Sequence, residues 1–126
     1  MTWSPWQDTA KTKHGIAKKT QCECGILHDS KKEKMRCSQL ALLERAGEIT
    51  HLTRQPFYPF VINGENVKLS NGHIAGVTLN FSYQTSSEVI AEDVKPRSKA
   101  ADSRDWPLRK AIFKHLYPLV SLREIR

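Results

Sequence analysis

The chain has 126 residues, which suits one domain with a single core and leaves little room for a second. Its composition, 39% hydrophobic and 26% charged, is that of a soluble globular protein, and no run nears the roughly 18 apolar residues needed to cross a bilayer. An odd set of cysteines, Cys22, Cys24 and Cys37, argues against a closed disulfide framework, and polar and basic residues after Trp6 leave no signal peptide, so the expected location is the cytoplasm.

The formal charge of +7 is unevenly spread. Residues 1–21 hold Lys11, Lys13, Lys18 and Lys19 against Asp8, while residues 95–110 hold Lys95, Arg97, Lys99, Arg104, Arg109 and Lys110 against Asp102 and Asp105. The remainder is neutral. Two such clusters suit a protein that tracks phosphates, since each neutralised phosphate releases condensed counterions. A solvated lysine face accounts for a charge run at least as often, but the place of the second cluster just beyond the carboxylate strand favours nucleic acid.

In chain order, residues 1–20 lack periodicity and read as a flexible basic arm, with the folded domain over 21–126. After a short strand or turn at residues 22–28, Ser30 and Glu33 have capping-box spacing for a helix running to about Glu44. Leu40 and Leu43 lie one turn apart, Met35, Leu42 and Ala46 widen the apolar side, and Gly47 suits the residue past the helix end. Strands are expected over 49–54 and 57–62, then a hairpin turn at Asn63-Gly64 and a return strand over 65–69. After a turn at Ser70-Asn71-Gly72 comes a long strand over 73–83, in which Val77, Leu79, Phe81 and Tyr83 alternate with a polar face carrying Asn80. A strand over 89–95 follows, then a mobile loop over 98–104. Asp105 can cap a helix with Pro107 in its first turn and an apolar stripe of Leu108, Ile112, Phe113 and Leu116; Pro118 ends it before a last strand over 119–125.

The segment Glu92-Asp93-Val94-Lys95 carries the strongest chemical hint. In a strand, residues two apart share a face, so Asp93 and Lys95 project together while Glu92 and Val94 point the other way. A carboxylate beside a lysine can hold a divalent cation and orient a water at a phosphate; an ordinary ion pair is the simpler alternative.

The segments Asp29-Ser30-Lys31-Lys32-Glu33, Leu42-Leu43-Glu44-Arg45-Ala46-Gly47-Glu48-Ile49, Gln55-Pro56, Asn80-Phe81-Ser82-Tyr83 and Glu92-Asp93-Val94-Lys95, taken in order and spacing, resemble a small phage-associated family of the PD-(D/E)XK nuclease superfamily, some of whose relatives resolve Holliday junctions. The resemblance covers roughly residues 14–126. It implies an α/β restriction-endonuclease-like core, a mixed central sheet flanked by helices in the order α-β-β-β-α-β, and Mg²⁺- or Mn²⁺-dependent cleavage of duplex or branched DNA in a host cytoplasm. Carried over by position, Glu33 resembles the first-helix carboxylate, Asp93 and Lys95 the paired acid and lysine, and Asn80 stands where a metal-binding aspartate is expected. Asn80 and Asp93 would then be the metal ligands. One neutral carbonyl at Asn80 weakens a site for a hard cation that prefers carboxylates. A protein that has abandoned cleavage and an aspartate replaced to trap an inactive form both fit. By the same resemblance a homodimer is expected, because two symmetric cuts need two active sites.

Lys18, Lys19, Lys31, Lys99, Arg104, Arg109 and Lys110 are the candidate backbone-gripping residues, with Arg54 and Gln55 lining the groove. For Glu33, a plain capping role competes with a catalytic one, and the two conflict if the cap is closed. Cys22, Cys24, His28 and Cys37 are four soft ligands in a short span, but C-x-C-x₃-H is not a zinc-ribbon spacing, and Cys37 reads as a small buried helix residue. Trp3, Trp6 and Trp106 can stack on bases, although Trp106 beside a helix start fits a core lid better. Three classes remain: a structure-directed endonuclease, a noncatalytic nucleic-acid-binding descendant, and a phage protein that blocks a host protein.

Overall fold

In the computed structural model, the structure describes Cys24, Gly25, His28 and residues 30–126. The basic arm, with Lys18, Lys19, Trp3 and Trp6, lies outside the described residues, as does Cys22. Helix α1 spans Lys31–Arg45. Ser30, in extended backbone, opens it by accepting the Glu33 amide on its hydroxyl at 3.1 Å. At the other end Gly47, at φ +82°, lets the Glu48 amide reach the Leu43 carbonyl and its own amide reach that of Glu44. Those two bonds satisfy the last carbonyls in a Schellman closure.

The buried face of α1 matches the expected one in part, since Cys37 and Leu40 are buried as expected. Glu33, Cys37 and Leu40 are buried, while Met35 and Leu42 are well exposed and Leu43 is partly so. Glu33 completes that face at helical spacing, and its charge hides it from a count of apolar residues.

The strands are β1 (Thr50–Arg54), β2 (Phe57–Pro59), β3 (Val61–Ile62), β4 (Glu65–Asn66), β5 (Gly76–Thr78), β6 (Phe81–Gln84), β7 (Val89–Val94) and β8 (Val120–Ile125), with helix α2 (Trp106–Leu116) between the last two. The main sheet has the order β1-β6-β7-β8. Its first three strands are antiparallel, and β8 runs parallel to β7 after the α2 crossover, Val89 standing opposite Val120. Strands β2 and β5 form a separate antiparallel ribbon, and β3 and β4 a hairpin closed by Asn63 and Gly64, both at positive φ.

The long strand expected over 73–83 is divided. Its first part pairs with β2, and after Leu79 and Asn80 the chain crosses to pair with β1 and β7, so one alternating run serves two sheets. The run expected over 57–62 breaks at Phe60, whose side chain is buried, and the return strand shortens to β4 plus a bridge between Lys68 and Ile74. The loop expected over 98–104 contains a 3₁₀ turn, Lys99–Ala101, opened by the Ser98 hydroxyl. Asp105 precedes α2 but makes no side-chain cap; its carboxylate lies 3.5 Å from the Arg109 guanidinium one turn on.

One helix packs on each face of the sheet. Ile90 and Val94 join Cys37, Leu40, Ile49, Phe81 and Tyr83 on the α1 side, while Ala91, Val120 and Leu122 join Trp106 and Phe113 on the α2 side. The result is a mixed α/β fold whose main sheet and helices follow the order α-β-β-β-α-β, with the small ribbons inserted between β1 and β6. No helix among the described residues is long and apolar enough to cross a membrane.

Candidate functional site

Alternation along β7 sends Asp93 and Lys95 to the α2 face, as their spacing predicts. Their side chains pair at 2.9 Å, each 14% exposed, and the Lys95 ammonium lies 3.9 Å from the centre of the buried Trp106 ring. The lysine is thus held by an anion and a π face, an arrangement that keeps a cation in place with little freedom. Burial is the main influence raising the Asp93 carboxyl above its ordinary range; Lys95 opposes the shift, while Glu124 and Asp102 add to it.

Asn80 stands next to this pair. Phe81 is opposite Glu92, and Asn80, the residue before β6, sends its amide to the Glu92 carbonyl at 3.0 Å. Its side-chain oxygen accepts the Val94 amide at 2.6 Å and so extends the ladder by one bond where β6 leaves the sheet. Gln55, at φ +57° and exposed, donates its amide to the Asn80 carbonyl, which puts residues 55, 80 and 93 at the same end of the sheet.

Glu33 is directed elsewhere. The Lys32 ammonium reaches the Lys95 carbonyl at 3.1 Å, so the first turn of α1 abuts the end of β7, yet the Glu33 carboxylate turns into the α1-side core and meets His28 Nδ1 at 2.7 Å. Three of the four candidate catalytic residues therefore converge, and the fourth serves a different partner.

The donors present do not fit Mg²⁺. That ion needs near-octahedral oxygen ligands, but the Asn80 oxygen is occupied by a backbone amide, Glu33 is held by His28, and Asp93 is paired with Lys95. The nearby carboxylates are also engaged: Glu124 with Trp106 Nε1 and Lys110, Asp102 with Arg126.

Beside the pair opens a cleft of about 510 Å³ where Lys99, Arg104, Lys110 and Arg126 meet Trp106, Asp102 and Glu124. Lys99 and Arg104 are exposed and make no ion pair among the described residues. The expected basic cluster thus converges in part: Lys99, Arg104 and Lys110 line one cleft, whereas Arg109 turns to the Gly76 carbonyl at 3.0 Å. Lys31 lies on the exposed side of α1, and Arg54 donates its Nε–H to Cys37 Sγ at 3.3 Å.

On the opposite face a second polar group has no counterpart among the expected site residues. Glu92, fully buried, accepts both Nε and Nη2 of Arg36, at 2.8 and 2.6 Å, and also the Tyr83 hydroxyl. Burial, with Glu92 beside it, pushes the Tyr83 hydroxyl up to about 12, so it stays a donor. Period two along β7 already separates Glu92 from Asp93, but nothing in the spacing marks Arg36 as its partner. No family model, curated protein or solved structure matches this chain.

Proposed function

We propose that the chain is a nuclease-like domain of the PD-(D/E)XK type that binds DNA, with Mg²⁺- or Mn²⁺-dependent phosphodiester cleavage impaired at Asn80. The observation that supports this most is the convergence of Asn80, Asp93 and Lys95 at one sheet end, beside a cleft with Trp106 in its wall and Lys99 and Arg104 at its edge. In this reading Lys99 and Arg104 meet the phosphate backbone as diffuse, salt-sensitive contacts, Trp106 with Lys95 supplies a rigid wall, and Gln55 borders the approach. An aspartate at position 80 would restore an anionic oxygen next to Asp93, and hard-cation chemistry at a phosphate depends on that charge.

The test is binding and cleavage of labelled duplex, flap and four-way-junction DNA by the full chain and by Asn80→Asp, with Mg²⁺ or Mn²⁺. Salt-dependent binding without cutting by the parent chain is expected; cutting gained by Asn80→Asp would make Asn80 the one impaired ligand. Binding without cutting by either form leaves the noncatalytic descendant. Absence of salt-dependent binding sinks the reading and moves the search to a protein partner. Preference for the junction would carry the expectation of a homodimer with it.

A further inference from the structure

On the α1 face, Cys24, His28 and Cys37 bring one sulfur, one ring nitrogen and one sulfur to within 4.8 Å of one another. Cys24 Sγ is 3.4 Å from His28 Nε2. His28 and Cys37 are buried, at 0% and 1% exposure. We propose that these three side chains bind a Zn²⁺ ion that fastens the segment before α1 to the body of the domain. The inference is independent of the DNA-binding reading, since it concerns the other face of the sheet.

The donor types favour this ion. Two thiols and an imidazole are soft to borderline ligands that select zinc over the hard cations served by carboxylates. With Zn–S near 2.3 Å and Zn–N near 2.0–2.1 Å, a tetrahedral ion spaces its sulfur and nitrogen ligands roughly 3.5 Å apart. The Cys24–His28 separation of 3.4 Å already has that value. The widest separation of the set, within 4.8 Å, needs a contraction of at most about 1 Å to reach tetrahedral spacing.

The surroundings complete the argument. His28 Nδ1 is taken by Glu33 Oε2 at 2.7 Å, and the contact is nearly closed to solvent, Glu33 being 3% exposed. A carboxylate on one imidazole nitrogen fixes the ring and leaves the other nitrogen as the ligand, as is usual for zinc-bound histidines. Glu33 and Cys37 lie four residues apart on α1, one turn along the same face, so the helix presents the orienting carboxylate and a sulfur ligand together. Arg54 donates its Nε–H to Cys37 Sγ at 3.3 Å, a contact that stabilises a thiolate. Two thiolates with a neutral imidazole balance the dication. Glu33 acts here as a positioning residue, which accounts for the carboxylate turning away from Asp93.

The experiment uses the full chain, freed of any purification tag and kept reduced, with zinc counted by mass spectrometry and Co²⁺ used as a spectroscopic substitute. One zinc per chain is expected, and the cobalt form should show tetrahedral visible bands with thiolate-to-cobalt charge transfer. X-ray absorption at zinc should report at least two sulfur neighbours and one nitrogen. Cys37→Ser should lose the charge-transfer intensity of one thiolate. Glu33→Gln should keep the cobalt spectrum but bind about 10–100-fold more weakly, a pattern that a merely structural role for Glu33 would not produce. A parent chain that takes up no zinc, gives no thiolate–cobalt band, or shows only oxygen and nitrogen neighbours overturns the proposal. So does a Cys24–Cys37 disulfide that persists under reducing conditions.

Discussion

Glu92 carries a buried charge with three donors from two side chains, and its stability depends on all of them. Removing Arg36 leaves that carboxylate in the core with only the Tyr83 hydroxyl, and breaking a buried pair from one side costs about 3–5 kcal/mol. Arg36→Ala should therefore lower the urea midpoint strongly, and adding Glu92→Gln should recover part of the loss, a coupling readable in a double-mutant cycle. Asp93 behaves in the opposite sense. Its folded-state carboxyl is raised, so the folded form takes up a proton at higher pH than the unfolded chain. This group's contribution to stability is then fullest at acid pH, below its unfolded value, and is lost as pH rises through its folded value. Urea denaturation from neutral pH down towards the ordinary aspartate range should show the parent chain gaining relative to Asp93→Asn; a constant difference between the two would contradict the shift.

Among the elements, the β2–β5 ribbon depends on a close backbone approach. A Cβ at Gly76 would lie 2.5 Å from the Tyr58 carbonyl oxygen and 2.7 Å from the Phe57 ring, and the first of these is backbone that cannot rotate away. Gly76→Ala should cost about 1–3 kcal/mol as overpacking, seen as a lowered melting temperature. Helix limits, the Asn63-Gly64 turn, the Gly47 closure and the β7 face assignment were all legible, because each rests on local stereochemistry or on a period of two. The division of residues 73–83 was not, since an unbroken alternation says nothing of which partner strand each half finds. The inward turn of Glu33 was illegible for a related reason, since it depends on His28 as its partner, whereas the burial of Cys37 and Leu40 could be read in advance. Position 80 could be singled out in advance, but not the diversion of its oxygen to Val94.

For the whole molecule, the two faces of the sheet carry different side-chain chemistry. The α1 face holds the soft-ligand cluster and the Glu92 network, and the α2 face holds Asp93, Lys95 and the basic cleft. If Lys99 and Arg104 meet phosphates, reversing both charges should weaken DNA binding across sequences alike and reduce the salt slope by about 2, one for each phosphate left unneutralised. Fluorescence anisotropy over a salt series measures both quantities, and an unchanged slope would remove these residues from the interface. The α1-face metal variants should leave that slope alone.

The parallel pairing of β7 with β8 also sets a tempo. The β6–β7 hairpin closes a short connection, whereas Val89 meets Val120 across the whole of α2. Pairings distant along the chain form slowly because loop entropy is spent before any favourable interaction returns it. Lys95 donates its amide to Ile125, and Glu124 holds both Trp106 and Lys110, so the surroundings of Asp93 are assembled by this slow step. Both faces of the sheet wait on such pairings, since β1 reaches β6 across a stretch of chain comparable to that between β7 and β8, and the Asp93–Lys95 surroundings are complete only once β8 is seated.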